Sequence, residues 1–214
     1  MLDGLRKFEC HRGMYRWRTL TDDERGQVLS WRQKRRRPQH SPHHLDSGQR
    51  HYLITAACYE HQPHIGHSVE RMTAFANEWL DVLDQHCLSI VAWALLPNHY
   101  HALVASRDVL GLLAVLGRLH GRTSFRWNGE EGTRGRKVWF NAVETVMKSP
   151  EHYHATLNYV HHNPVKHGYV RKWTDWPWSS AAEYLADTGA DEAARLWKTY
   201  PIDRFGTGWD DADL

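Results

Sequence analysis

Ile90-Val91-Ala92-Trp93-Ala94-Leu95-Leu96-Pro97-Asn98-His99-Tyr100-His101-Ala102-Leu103-Val104 is the stretch on which the fold turns. Apolar, β-prone residues run on both sides of Pro97-Asn98, a dipeptide suited to a turn. The spacing predicts a hairpin of two strands, Leu88–Leu95 and His99–Ser106. In a strand, alternate side chains share a face, so His99 and His101 project together. Two converging imidazoles make half of a divalent-metal site if a third ligand comes from elsewhere. The bland alternative is an exposed alternating face, because 17 histidines in 214 residues give about one His-x-His by chance. A second copy, His152-x-His154, lies in a helix-like segment, where positions two apart diverge.

A second stretch strengthens the metal reading. Ser149-Pro150-Glu151 is a helix start, with a capping hydroxyl, a first-turn proline and an acid. The helix is expected to run through His161-His162 and to stop near Asn163, because Pro164 pushes its predecessor out of the α region. Tyr153, Leu157 and Val160 form its apolar stripe. Tyr159 and Asn163, four apart, share another face. That face offers a phenol nucleophile and an amide oxygen able to coordinate a hard cation.

Pro97-Asn98-His99-Tyr100-His101, then Asn158-Tyr159-Val160-His161-His162-Asn163-Pro164-Val165-Lys166-His167-Gly168-Tyr169-Val170, then Asp175-Trp176-Pro177-Trp178-Ser179-Ser180 occur in that order. Together they resemble the single-tyrosine HUH transposases, and within them the REP-associated tyrosine transposases, which act on palindromic repeats of bacterial chromosomes. The resemblance covers roughly residues 50 to 205, and Tyr200-Pro201-Ile202-Asp203 is similar to a tail found in the family. It implies that His99, His101 and Asn163 bind a divalent metal, Mg²⁺ or Mn²⁺. It implies that Tyr159 attacks single-stranded DNA. Other tyrosines fit less well. Tyr100 alternates with the histidines, Tyr153 falls on the apolar stripe, and Tyr169 lies past the expected helix end.

The rest of the chain is consistent with one domain and an extension. Expected boundaries are a basic extension at 1–50, a nuclease domain at 51–205 and an acidic tail at 206–214. Net charge is only +2 with histidine neutral, so any nucleic-acid surface must be local. Within the extension, Arg32, Lys34, Arg35, Arg36 and Arg37 place five cations in six positions, suited to phosphate. Arg118, Arg122 and Arg126 recur every four residues on a helix capped by Asp108. They would line one side of it, as a ladder along a DNA backbone or as a solvated face. Cys10, Cys58 and Cys87 match neither a disulfide set nor a zinc knuckle and are read as reduced thiols. No apolar run reaches membrane length and no secretory leader is evident, so the expected compartment is the cytoplasm, with the nucleoid as the place of action.

His51–Cys58 reads as a strand, residues 68–86 as an amphipathic helix, Val138–Val143 as a strand and 179–198 as helical. His61, His64 and His67 fall in a loop. Trp173, Trp176 and Trp178, set among prolines and serines, are expected to pack on the domain. The order predicts an α+β, ferredoxin-like split βαβ antiparallel sheet with helices on one face and the histidine pair on a central strand. The expected activity is metal-dependent cutting and joining of single-stranded DNA at repeat hairpins through a 5′-phosphotyrosine, by a monomer or homodimer. The alternative is a hairpin-binding regulator that does not cut. A histidine-rich metallohydrolase unrelated to DNA ranks last, since no His-Glu-x-x-His pattern is present.

Overall fold

The computed structural model describes residues 50–202. The extension with Arg32, Lys34, Arg35, Arg36 and Arg37, Cys10 and the acidic tail lie outside the described residues. The first strand, β1 (Arg50–Ala57), is followed by short 3-10 turns at Tyr59–His61 and Ile65–His67. Helix α1 (Val69–His86), strands β2 (Ser89–Leu95) and β3 (His99–Ser106), and helix α2 (Val109–Glu130) come next. Strand β4 (Val143–Val146) leads to helix α3 (Pro150–Lys166), and helices α4 (Ala181–Thr188) and α5 (Ala190–Thr199) close the described region.

The sheet is antiparallel with order β2-β3-β1-β4, the split βαβ arrangement expected from the element order. β3 is inner, and all eight of its residues are buried. A strand that apolar on both faces needs cover on both. α1 and α2 cover one face, packing Phe75, Trp79, Leu112 and Leu116 on Tyr100, Ala102 and Val104. α3 covers the other, packing Tyr153, Leu157 and Val160 on Leu53, Leu103 and Ala94. Helices therefore occupy both faces. The expectation of one face holds for α1 and α2 and is corrected for α3.

Three helices, α1, α2 and α3, start at a capping side chain. The Ser68 hydroxyl accepts the Arg71 amide at 3.1 Å, Asp108 accepts Gly111 at 2.8 Å, and Ser149 accepts His152 at 3.2 Å. The end of α3 differs from expectation. The helix runs on through Pro164 to Lys166. Gly168, at φ +72°, closes it with paired bonds, Tyr169 N–H to the Pro164 carbonyl and Gly168 N–H to the Val165 carbonyl, both 2.9 Å. This is a Schellman stop, and it satisfies the last carbonyls, so one amide lost to proline is tolerated near the end.

One further correction concerns a strand. The strand expected at Val138–Val143 lies at Val143–Val146, with a single bridge at Cys58–Trp139 upstream. Val138 and Trp139 are buried, but as a loop that wedges Trp139 flat on His120, centroids 4.2 Å apart. The helical region after Ser179 is two helices, broken at Gly189, whose φ of +83° only glycine adopts without strain.

Trp176 and Trp178 are fully buried, as expected for packing. They also occupy the free edge of β2. The Trp178 carbonyl accepts the Leu95 amide at 2.8 Å, and the Trp176 indole donates to the Leu95 carbonyl at 2.8 Å. The edge is thereby closed to other chains. Burial pushes the Cys58 thiol up to about 12, so it stays protonated at neutral pH.

Gly66 sets the position of the turn before β3. Its amide donates to the Pro97 carbonyl at 2.9 Å, and a Cβ there would lie 2.4 Å from the Pro97 Cβ. Gly66→Ala must displace one backbone. It should lower unfolding free energy by about 1–3 kcal/mol in chemical denaturation. Unchanged stability would mean that the turn is free to shift.

Candidate active site

His99 opens β3, and its ring is held at both nitrogens. Asn98 Nδ2 donates to the His61 carbonyl at 3.1 Å, which turns Asn98 Oδ1 toward His99 Nδ1 at 2.8 Å. An amide oxygen only accepts, so His99 Nδ1 carries the proton. His99 Nε2 then presents a lone pair to Asn163 Oδ1, 2.9 Å away on α3. His101 pairs across to Thr55 of β1, and its Nδ1 lies 2.8 Å from the Thr55 hydroxyl. His101 Nε2 faces the Tyr159 hydroxyl at 3.4 Å. The two imidazole centroids are 5.1 Å apart.

The four residues named from the sequence thus converge on one spot between β3 and α3. His99 is 2% exposed, His101 and Asn163 0%, and Tyr159 1%. The β3 alternation puts both histidines on the α3 side and Tyr100 in the opposite core. Tyr153 is buried in the α3 core, as its stripe position predicts. The helical periodicity of α3 puts Tyr159 and Asn163 on the facing side.

The donor set fits a divalent cation. His99 Nε2 and Asn163 Oδ1 face each other as two acceptors. A proton on the ring, an amide turned end for end, or a cation between them relieves that repulsion. Asn98 and the Thr55 hydroxyl occupy the Nδ1 positions and leave Nε2 of both rings directed at α3, the usual outer-shell arrangement of metal-binding histidines. Among the described residues, no group of three or more His, Cys, Asp or Glu forms a metal cluster, so the set depends on the Asn163 amide.

Two residues at this site are not singled out by the sequence reading. Lys166 Nζ lies 5.2 Å from the Tyr159 ring centroid, and the His167 ring lies 4.9 Å from that of His99. Both come within reach because α3 continues past Pro164. The Lys166 cation also suits the negative end of the helix dipole.

Other candidates fall elsewhere. Arg118, Arg122 and Arg126 do share the exposed side of α2, since the helix persists past Gly121. α2 packs on the sheet face opposite the histidine pair, so this ladder does not line the Tyr159 site. Arg126 is also ion-paired with Glu78 at 2.8 Å. His154 stacks on Tyr200, and the His152 Nδ1 accepts the Lys148 amide. His64 contributes its carbonyl to Arg71, and burial pushes its imidazole down to about 4.

A four-stranded α+β sheet that sets a His-x-His pair against a tyrosine on a helix is the class defined by fold and site. No family model matches the chain. A Haemophilus influenzae Rd protein provisionally named REP-associated tyrosine transposase is 28% identical over 127 residues, covering 51% of this chain and 70% of its own length. The solved structure of a REP-associated tyrosine transposase bound to a REP hairpin superimposes with a TM-score of 0.51 at 20% identity, covering 76% of this chain and 90% of its own. The resemblance read from the motifs is met in both comparisons, and the second establishes a shared fold.

The Asn98 clamp makes a metal-free prediction. In ¹⁵N NMR, neutral His99 should show the Nδ1-protonated tautomer. Asn98→Ala should abolish that preference and cost about 1–3 kcal/mol, because it strips partners from a buried ring nitrogen and a carbonyl. An Nε2-protonated His99 in the native chain would overturn the network.

Proposed function

We propose that this chain is a metal-dependent single-stranded DNA endonuclease and strand transferase acting on repeat hairpins, with Tyr159 as nucleophile. Similarity to a REP-associated tyrosine transposase supports a transposase or hairpin-binding role. The observation that carries the finer reading is the approach of the Tyr159 hydroxyl to His101, 3.4 Å, beside the His99–Asn163 pair.

His99, His101 and Asn163 would hold the cation, and a bound Mg²⁺ or Mn²⁺ supplies electrostatic stabilisation of charge developing on the scissile phosphate. The remaining work belongs to the chain. β3 and α3, packed together, hold the phenol and the ligand set at fixed separation. Tyr159 Oη forms a bond to phosphorus as the P–O3′ bond breaks. The phenol proton goes to solvent and the departing 3′ oxygen takes one up. The products are a 5′-phosphotyrosine and a free 3′-OH. Bond number is conserved, so another strand's 3′-OH can reverse the step without a nucleotide cofactor. Lys166, whose Nζ lies over the Tyr159 ring, would place a positive charge near the incoming phosphate.

The second reading is a hairpin-binding regulator that does not cut, favoured by the near-complete burial of Tyr159 with its hydroxyl turned to His101. Tyr159→Phe separates the two. It keeps the ring and should leave hairpin binding intact while covalent adducts fall to background. Mass spectrometry of the trapped adduct should find the nucleotide on the peptide containing Tyr159. Adducts on Tyr153 or Tyr169, or none with the native chain, would remove the nucleophile assignment.

Cation dependence has its own test. EDTA should stop cutting and Mn²⁺ restore it. Thr55→Val keeps shape but removes the hydroxyl at His101 Nδ1, and should weaken Mn²⁺ binding about 10- to 100-fold by calorimetry, whereas Thr55→Ser should not. Full cutting by the His99→Ala, His101→Ala double variant would refute the ligand assignment.

A further inference from the structure

We propose that Tyr59, Phe140 and Lys137 form a binding site for an unpaired nucleotide at the end of the sheet that carries the catalytic centre, taking the base on the aromatic rings and its phosphate on the lysine. The proposal rests on the single-stranded DNA reading above and adds a place where the strand is held.

Three features coincide. The Tyr59 and Phe140 rings lie 5.0 Å apart, tilted by 48°, and both are only partly buried. Lys137 is exposed, and its Nζ sits 4.4 Å from the Tyr59 ring centroid and 5.2 Å from that of Phe140. Half-open aromatic faces bridged by an exposed cation have the chemistry of a sequence-tolerant stacking platform for single strands. Lys137 makes no ion pair with a carboxylate among the described residues, so its charge is available to a phosphate.

Position links the platform to the site. The Phe140 amide donates to the Ala57 carbonyl at 2.9 Å, and Ala57 stands opposite His99 in the sheet. The Tyr59 amide donates to the Val138 carbonyl at 2.8 Å, and the Cys58 amide to the Asn98 carbonyl at 2.7 Å. Platform and histidine pair therefore share one end of the sheet. Between them the chain makes an unusual turn. Glu60 and His61 are consecutive non-glycine residues at φ +52° and +49°. Such conformations persist only where the surroundings enforce them, and they gather at functional sites. This turn leaves Tyr59 against Phe140 and delivers the His61 carbonyl to Asn98, which orients His99.

The site is tested on the full chain carrying Tyr159→Phe, so that binding is read without cutting. The ligands are repeat hairpins with a single-stranded flank, bearing 2-aminopurine at successive unpaired positions, and the same hairpins without a flank. One unpaired position should be quenched on binding. Phe140→Leu, which keeps apolar volume, should abolish that quenching and weaken flanked DNA roughly 5- to 150-fold. Phe140→Trp should restore both. Lys137→Gln should reduce the log–log salt slope by about 0.7, one single-strand phosphate contact. Flankless hairpins should bind all variants alike. Equal losses on flanked and flankless DNA would place a duplex stem there and overturn the proposal. Unchanged affinity and quenching in Phe140→Leu, with the native chain binding and cutting, would overturn this site alone. A native chain that binds neither ligand would overturn the DNA reading along with it.

Discussion

β3 sits at the centre of the sheet with no face left for water. Burial at all eight positions leaves its side chains two outlets, the α1–α2 core and the α3 core. Six of the eight are apolar or small enough to comply, but His99 and His101 are not. Imidazoles in so dry a place cost free energy unless each nitrogen finds a partner. Asn98, Thr55 and Tyr159 face three of the four ring nitrogens, and the fourth, His99 Nε2, faces Asn163 Oδ1, where a proton or a cation is needed between two acceptors. The candidate site thus ties chemistry and folding to the same residues.

That constraint explains why so many local features point to one end of the sheet. Antiparallel pairing sets Thr55 opposite His101 and Ala57 opposite His99. A one-residue slip would send both histidines into the aromatic core beneath α1 and α2. Gly66 against Pro97 and the Trp176–Trp178 cover on β2 hold the neighbouring backbone in place. A bulge in β2 between Ile90 and Ala92 lets Val91 and Ala92 both join the α3 core. α3 is therefore seated on a tightly specified surface, and the Tyr159–His101 approach inherits that precision.

Charge is distributed differently. A chain of net charge +2 has little long-range attraction for a polyanion, so contact must come from local groups. Lys166 and His167 lie at the site, Lys137 at the platform on the same end of the sheet, and Arg118 and Arg122 on the exposed side of α2. Arg126 is partly neutralised by Glu78.

Much of this was legible in the residues. Alternation told that His99 and His101 face one way and Tyr100 the other. Helical spacing joined Tyr159 to Asn163, and caps at Asp108 and Ser149 marked two helix starts, because these are properties of neighbours in the chain. The sequence also determined the strand and helix order, from which the split βαβ sheet follows. Tertiary structure alone decided what those faces meet. It put α3 across the sheet from α1 and α2, because only there does β3 still need cover. It carried α3 beyond Pro164 to Lys166, because a Schellman stop at Gly168 satisfies carbonyls that proline alone would strand. It turned Val138–Trp139 from a strand into a core wedge, since burial of apolar side chains does not require ladder pairing. And it brought Thr55 to His101 and Tyr59 to Phe140, partners 46 and 81 positions apart whose meeting depends on sheet register and loop path rather than on any local pattern.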